Sequence, residues 1–259
     1  MKYFLYHFEL FFLVFTRLFG MLAVSPLFSS PLITPSLRAM LAFTVSIVIF
    51  PIVTHNPPSI PDGIFFYVAM AVSELLIGLI IGFIASVFFT VFQMTGQYFS
   101  LQMGLSISEI LDPLTQEEIP IVGQLFTLIG MLVFFAIQGE RFLLDSVIRS
   151  FQVLPVLDFS SPVLMKKLTE GLVVTAGQMF LISLKLAMPL MGTFTILMIS
   201  LALLSKAAPQ MNIFMVGFPL QLAVGFIFII IFAPLLGAGF KIVFEIMYDN
   251  ILNIIGALS

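Results

Sequence analysis

Few side chains in this sequence have the types that do chemistry. Imidazole occurs twice, as His7 near the start of an apolar stretch and His55 in a proline-rich loop, and cysteine is absent. Zinc needs three or four converging ligands, so neither histidine makes a metal site. Hydrolysis by paired carboxylates would need two aspartates in facing apolar segments. Asp249, after Tyr248, is one, but Gly237-Ala-Gly-Phe240 supplies no second. One carboxylate cannot divide acid and base roles. No metalloprotease, nucleophile-elbow, P-loop or dinucleotide motif is present. Of the charges inside apolar segments, Glu74 and Lys185 are the strong candidates. A charge in a bilayer helix costs about 2.5–3.5 kcal/mol on insertion scales and faces protein or water. Each is open to two uses: a coupling or ion-path group, or an ion pair or snorkelling chain that fixes packing. Gly78 and Gly82, just after Glu74, form a small-xxx-small face suited to close helix approach.

The elements that must carry these groups follow from composition. The 259 residues are 61% hydrophobic and 9% charged, with a net charge of −3 and a mean hydropathy of +1.20. Soluble domains average about 25% charged residues, so this chain cannot build a polar surface and is an integral membrane protein. Slight acidity and the absence of a basic run exclude a nucleic-acid binder. Charged residues punctuate uncharged intervals of 23 residues (Arg38 to Asp62), 34 (Glu74 to Glu109), 21 (Glu118 to Glu140), 20 (Lys185 to Lys206) and 34 (Lys206 to Lys241). About 20 apolar residues cross the hydrocarbon core, and an embedded backbone must bond within helices or a closed barrel. Strict alternation is missing, so the expected fold is all-α and polytopic. Six apolar helices are expected near 3–24, 37–54, 64–99, 119–138, 168–205 and 213–236, some of them broken, with an amphipathic tail to about 256.

Prolines mark the turns. Ser25 to Ser36 and His55 to Gly63 are short loops, because each proline removes an amide donor and biases its predecessor away from helix. Longer connectors run from Leu101 to Pro120 and from Arg149 to Lys167, and the second is the best internal boundary. The first helix, with Glu9, Thr16 and Arg17 inside it, is expected to be retained rather than cleaved.

Two segments then bear a family likeness. Gly96-Gln-Tyr-Phe-Ser-Leu-Gln-Met-Gly-Leu-Ser106 with Asp112-Pro113 and Ile119-Pro120, followed by Ala208-Pro-Gln-Met-Asn-Ile-Phe-Met-Val-Gly-Phe-Pro219, resembles the FliR family of the flagellar type III protein-export gate. The likeness extends over nearly the whole chain, and the equivalent subunit of virulence injectisomes shares the plan. It implies a gate built with FliP and FliQ, surrounded by FlhA and FlhB, in the bacterial cytoplasmic membrane at the flagellar basal body. It also implies a FliP-like part over 1–160 and a FliQ-like long hairpin with a tail over 161–259. No enzyme activity and no cofactor are implied; energy comes from elsewhere in the apparatus. The connector 101–120 corresponds to a loop that helps plug the pore. There Ile107, Ile110, Leu111 and Leu114 would form an apolar obstruction, with Asp112 beside them and Gly104 and Pro113 shaping the turn. Lys206, Pro209, Gln210 and Asn212 correspond to a turn at the cytoplasmic end of the hairpin, near FlhB. The alternatives are the equivalent subunit of a virulence injectisome and a self-sufficient small-molecule transporter, for which Glu74 and Lys185 are the only strong midplane candidates.

Overall fold

The computed structural model describes residues 2–28, 33–54, 63–105, 121–154, 162–210 and 213–258. All regular structure among them is helical: α1 (Lys2–Val24), α2 (Pro35–Val53), α3 (Ile64–Gln102), α4 (Ile121–Ala136), α5 (Gly139–Val153), α6 (Pro162–Ala207) and α7 (Ile213–Leu258). Five of these helices are long and apolar enough to cross a membrane, and α4 with α5 makes a sixth if that pair, broken at Gln138, is one span. The architecture is that of a polytopic helical membrane protein.

Local chemistry sets several ends. Thr34 caps α2 by accepting the Leu37 amide on its Oγ1, and Pro35 occupies the first helical position, where its missing N–H is no loss. Gln138 adopts the left-handed conformation at φ 58° and separates α4 from α5. Pro51, Pro189, Pro219 and Pro234 lie inside continuous helices, each removing one ladder bond.

Two expectations from apolar runs need correction. Residues 139–153 form a helix that contains no unbroken apolar run, because Glu140, Arg141, Asp145 and Arg149 interrupt it. Its apolar side survives at helical spacing in the buried Leu143, Val147 and Phe151. The connector placed at 149–167 is correspondingly shorter, since α5 runs to Val153 and α6 starts at Pro162. The stretch after residue 236 is no separate tail: α7 continues to Leu258, with Phe240, Phe244, Met247, Ile251, Ile255 and Leu258 buried at three- and four-residue steps.

Packing divides the chain into two units, one of residues 1–88, 138–176 and 244–259, the other of 89–137 and 177–243. In the first, α1 and α3 approach at glycines. A Cβ on Gly78 would lie 2.0 Å from the Arg17 carbonyl oxygen, one on Gly82 2.5 Å from that of Met21, and one on Gly20 2.6 Å from that of Leu75. The small-residue face read from Gly78 and Gly82 is therefore a packing face. In the second unit the core is phenylalanine-rich: Phe92 meets Phe240 at 4.4 Å between ring centres, and Phe99 meets Phe126 at 4.8 Å. Aromatic pairs at such distances add about 0.5–1.5 kcal/mol beyond their buried area.

Candidate functional site

The site is built where α3 ends, in the second unit. Gly104 has φ +75°, the left-handed conformation that glycine tolerates without a Cβ penalty. Around it the Leu105 amide donates to the Ser100 carbonyl at 3.0 Å and the Gly104 amide to Leu101 at 3.2 Å. That pair of bonds is the Schellman closure, which satisfies carbonyls a helix end leaves open. The positive φ gives this position a physical reason to be glycine.

Other residues of the first segment hold the end of α3 in place. Gly96 lets α3 pass so near α4 that a Cβ would stand 2.5 Å from the Gly123 Cα. Phe99 and Met103 are fully buried. The second segment then meets the first at Phe218, whose Cδ2 would lie 3.3 Å from a Cβ on Gly104, and Gln221 Oε1, just beyond that segment, would lie 3.2 Å from it. Between them opens a cavity of about 500 Å³, lined by Leu101, Gln102, Gly104, Met198, Phe218 and Gln221 among others. Its polar equipment is slight. Gln221 Nε2 donates to Met198 Sδ at 3.4 Å, and nothing there divides acid and base roles.

The first unit contains a different arrangement. Arg17 and Glu74 are both 0% exposed and form an ion pair, with Arg17 Nε donating to Glu74 Oε2. Arg17 Nη1 donates to Ser150 Oγ at 2.7 Å, and Nη2 to the Leu154 carbonyl at 3.0 Å, at the end of α5. The guanidinium also sits 3.7 Å from the centre of the Phe151 ring, a cation–π contact strengthened by desolvation. One planar cation thus ties α1, α3 and α5. Glu74 is the lone charge of α3, but α1 carries Lys2 and Glu9 as well as Arg17, so residue type does not single out this pair.

Of the remaining predicted residues, Lys185 is exposed on α6 and lines a groove of about 240 Å³ with Leu186, Pro189, Phe232, Leu236 and Gly239 among others. Lys206 closes the last turn of α6, where a cation suits the helix dipole; Pro209 and Gln210 follow in an exposed turn. Ile107, Ile110, Leu111, Asp112, Pro113, Leu114 and Asn212 lie outside the described residues. Among the described residues no group of His, Asp and Glu could hold a metal ion. Asp249 is exposed, and the Tyr248 hydroxyl donates to Asp145.

Helices of this kind around a largely apolar cavity define a membrane protein whose working parts are surfaces and shapes. Residues 8–247 match the family described as bacterial export proteins, family 1, and the chain belongs to that family, one of export-apparatus components and not of enzymes. Flagellar biosynthetic protein FliR of Bacillus subtilis strain 168 is 27% identical over 252 residues, covering 97% of this chain and 96% of that protein. FliR of Escherichia coli K12 is 28% identical over 250 residues, 96% of this chain and 94% of the relative. FliR of Aquifex aeolicus VF5 is 32% identical over 224 residues, 86% and 85% of the two chains.

Proposed function

We propose that this chain is a non-enzymatic subunit of the flagellar type III protein-export gate. In this proposal it lines, and helps to obstruct, the pore through which unfolded flagellar proteins cross the bacterial cytoplasmic membrane at the flagellar basal body. Its partners are the FliP, FliQ, FlhB and FlhA homologues. The observation that carries the reading is the meeting of the two family-like segments at one cavity, at the point where the connector 101–120 leaves α3. Ile107, Ile110, Leu111 and Leu114, with Asp112 beside them, then form the obstruction, an apolar constriction that blocks ions by excluding water. Gly104 and Pro113 set its turn.

Helix length supports a subunit clasped by others. At 1.5 Å per residue, the 46 residues of α6 and of α7 span about 70 Å, against a hydrocarbon core of about 30 Å. Both helices expose large apolar side chains along their length, Val173, Phe180 and Ile196 on α6 and Met215, Ile230 and Ile242 on α7. Lipid covers only part of such a face; neighbouring subunits cover the rest. The division into a FliP-like 1–160 and a FliQ-like 161–259 suits these helices. Within the second unit α6 and α7 run antiparallel, Leu186 lying against Gly239 and Met198 against Gln221, as the arms of a hairpin. Lys206, Pro209, Gln210 and Asn212 form its turn toward FlhB. The transporter alternative loses its best residue, because Glu74 is engaged by Arg17.

Purification from native membranes tests the reading. FliP and FliQ homologues should copurify with the chain. A companionless, monodisperse chain that moves solutes in liposomes would overturn it.

A further inference from the structure

We propose that Met103 and Gly225 form a size-matched lock that fixes the direction in which the chain leaves α3, making both positioning residues for the obstruction assigned above. The inference rests on that assignment, but its own observations lie wholly within the described residues. Met103, the last residue before Gly104, is 0% exposed. Gly225 stands well inside α7, where glycine is about 1 kcal/mol worse than alanine. Its reason is visible: a Cβ there would lie 2.5 Å from Met103 Cγ, 2.7 Å from Sδ and 2.8 Å from Cε. The whole outer half of the methionine, and not its tip alone, occupies the space a side chain on α7 would take.

Not every helical glycine is filled in this way. Gly177, Gly192 and Gly237 would meet nothing within 4 Å. Phe218, Gln221 and Gly225 succeed one another at three- and four-residue steps, so they share one face of α7. That face meets Met103 at Gly225 and Gly104 at Phe218 and Gln221. The last two residues of the helix end are therefore set by one partner surface. Gly96 against Gly123, and Phe99 against Phe126, hold the preceding turns, leaving little freedom for the exit to shift unless Met103 moves.

A volume swap tests the lock. Met103→Ala removes the Cγ, Sδ and Cε that fill the site, and Gly225→Val adds as many heavy atoms from the opposite wall. Resting ion leak is measured in membranes carrying the assembled export complex, with assembly quantified by copurification of its partners and deletion of 107–114 as the reference for an open pore. Gly225→Val should raise the leak about tenfold, the shift an overpacked contact imposes on a closed–open equilibrium. Met103→Ala should raise it less, and the double variant should return to within about twofold of the original. If Gly225→Val prevents assembly, Gly225→Ala replaces it, since its Cβ alone displaces Met103. Single variants that stay tight while the deletion leaks overturn the lock and leave the obstruction standing, as does a double variant as leaky as its parents combined. A deletion that does not leak removes the obstruction and the lock together.

Discussion

Each unit holds one fastening, and the two are of opposite kinds. Around Arg17 the fastening is polar: a fully buried cation is shared among Glu74, Ser150, the Leu154 carbonyl and the Phe151 ring. Around Met103 it is shape alone, a thioether seated over a glycine, with phenylalanines beneath. The polar fastening is intolerant, since taking one ion away strands the other in low dielectric. The shape fastening is tolerant of exchange so long as volume is kept. Unbreakable anchorage therefore belongs to the Arg17 unit, and adjustable seating to the unit that launches the connector.

The sharpest way to break this contrast is at Arg17. Arg17→Ala should destabilise the protein by about 3–5 kcal/mol, the cost of a stranded buried charge, read as a fall in thermal stability in detergent and in membrane level. Arg17→Met combined with Glu74→Leu should recover most of that loss, because apolar replacement of a buried pair is often neutral. Failure of the double variant to recover would mean that the charges serve more than anchorage.

Next in size is the glycine face of α1 and α3. Gly78→Val would put side-chain atoms where the Arg17 carbonyl stands, costing about 1–3 kcal/mol by overpacking, whereas Gly177→Ala, in open space, should be neutral or slightly stabilising. Equal effects at both positions would remove the close approach from the account. The smallest effect sharpens the other side. Gly104→Ala forces a Cβ into the left-handed region for about 1–2 kcal/mol, a strain confined to one turn. Hydrogen exchange should speed at the Met103, Gly104 and Leu105 amides, whose bonds close the turn, and stay unchanged at the end of α5.

Much of this was legible in the sequence, and what was not has physical causes. Apolar intervals locate four helices to within about three residues of their observed ends, because a lipid-facing helix needs apolar length. The same criterion cannot find α5, whose apolar positions are periodic and interrupted by charge, nor the continuation of α7 past Pro234, where a proline within a helix looks like an end. At the site, Gly104 has a left-handed φ that its residue type allows. Glu74 announces itself, but its partner is Arg17, and nothing short of the fold says that helices 57 residues apart in sequence bring those two together. Met103 and Gly225 were invisible, since methionine and glycine abound in this chain and only their contact makes them a pair.

The central claim, that residues 107–114 of an assembled export gate keep a protein-sized pore from leaking, is tested most directly by electrical measurement. Membranes carrying the complex with those residues deleted should conduct small ions freely while the subunits still copurify in unchanged proportion. A complex that assembles normally and conducts no more than the intact one would contradict the claim.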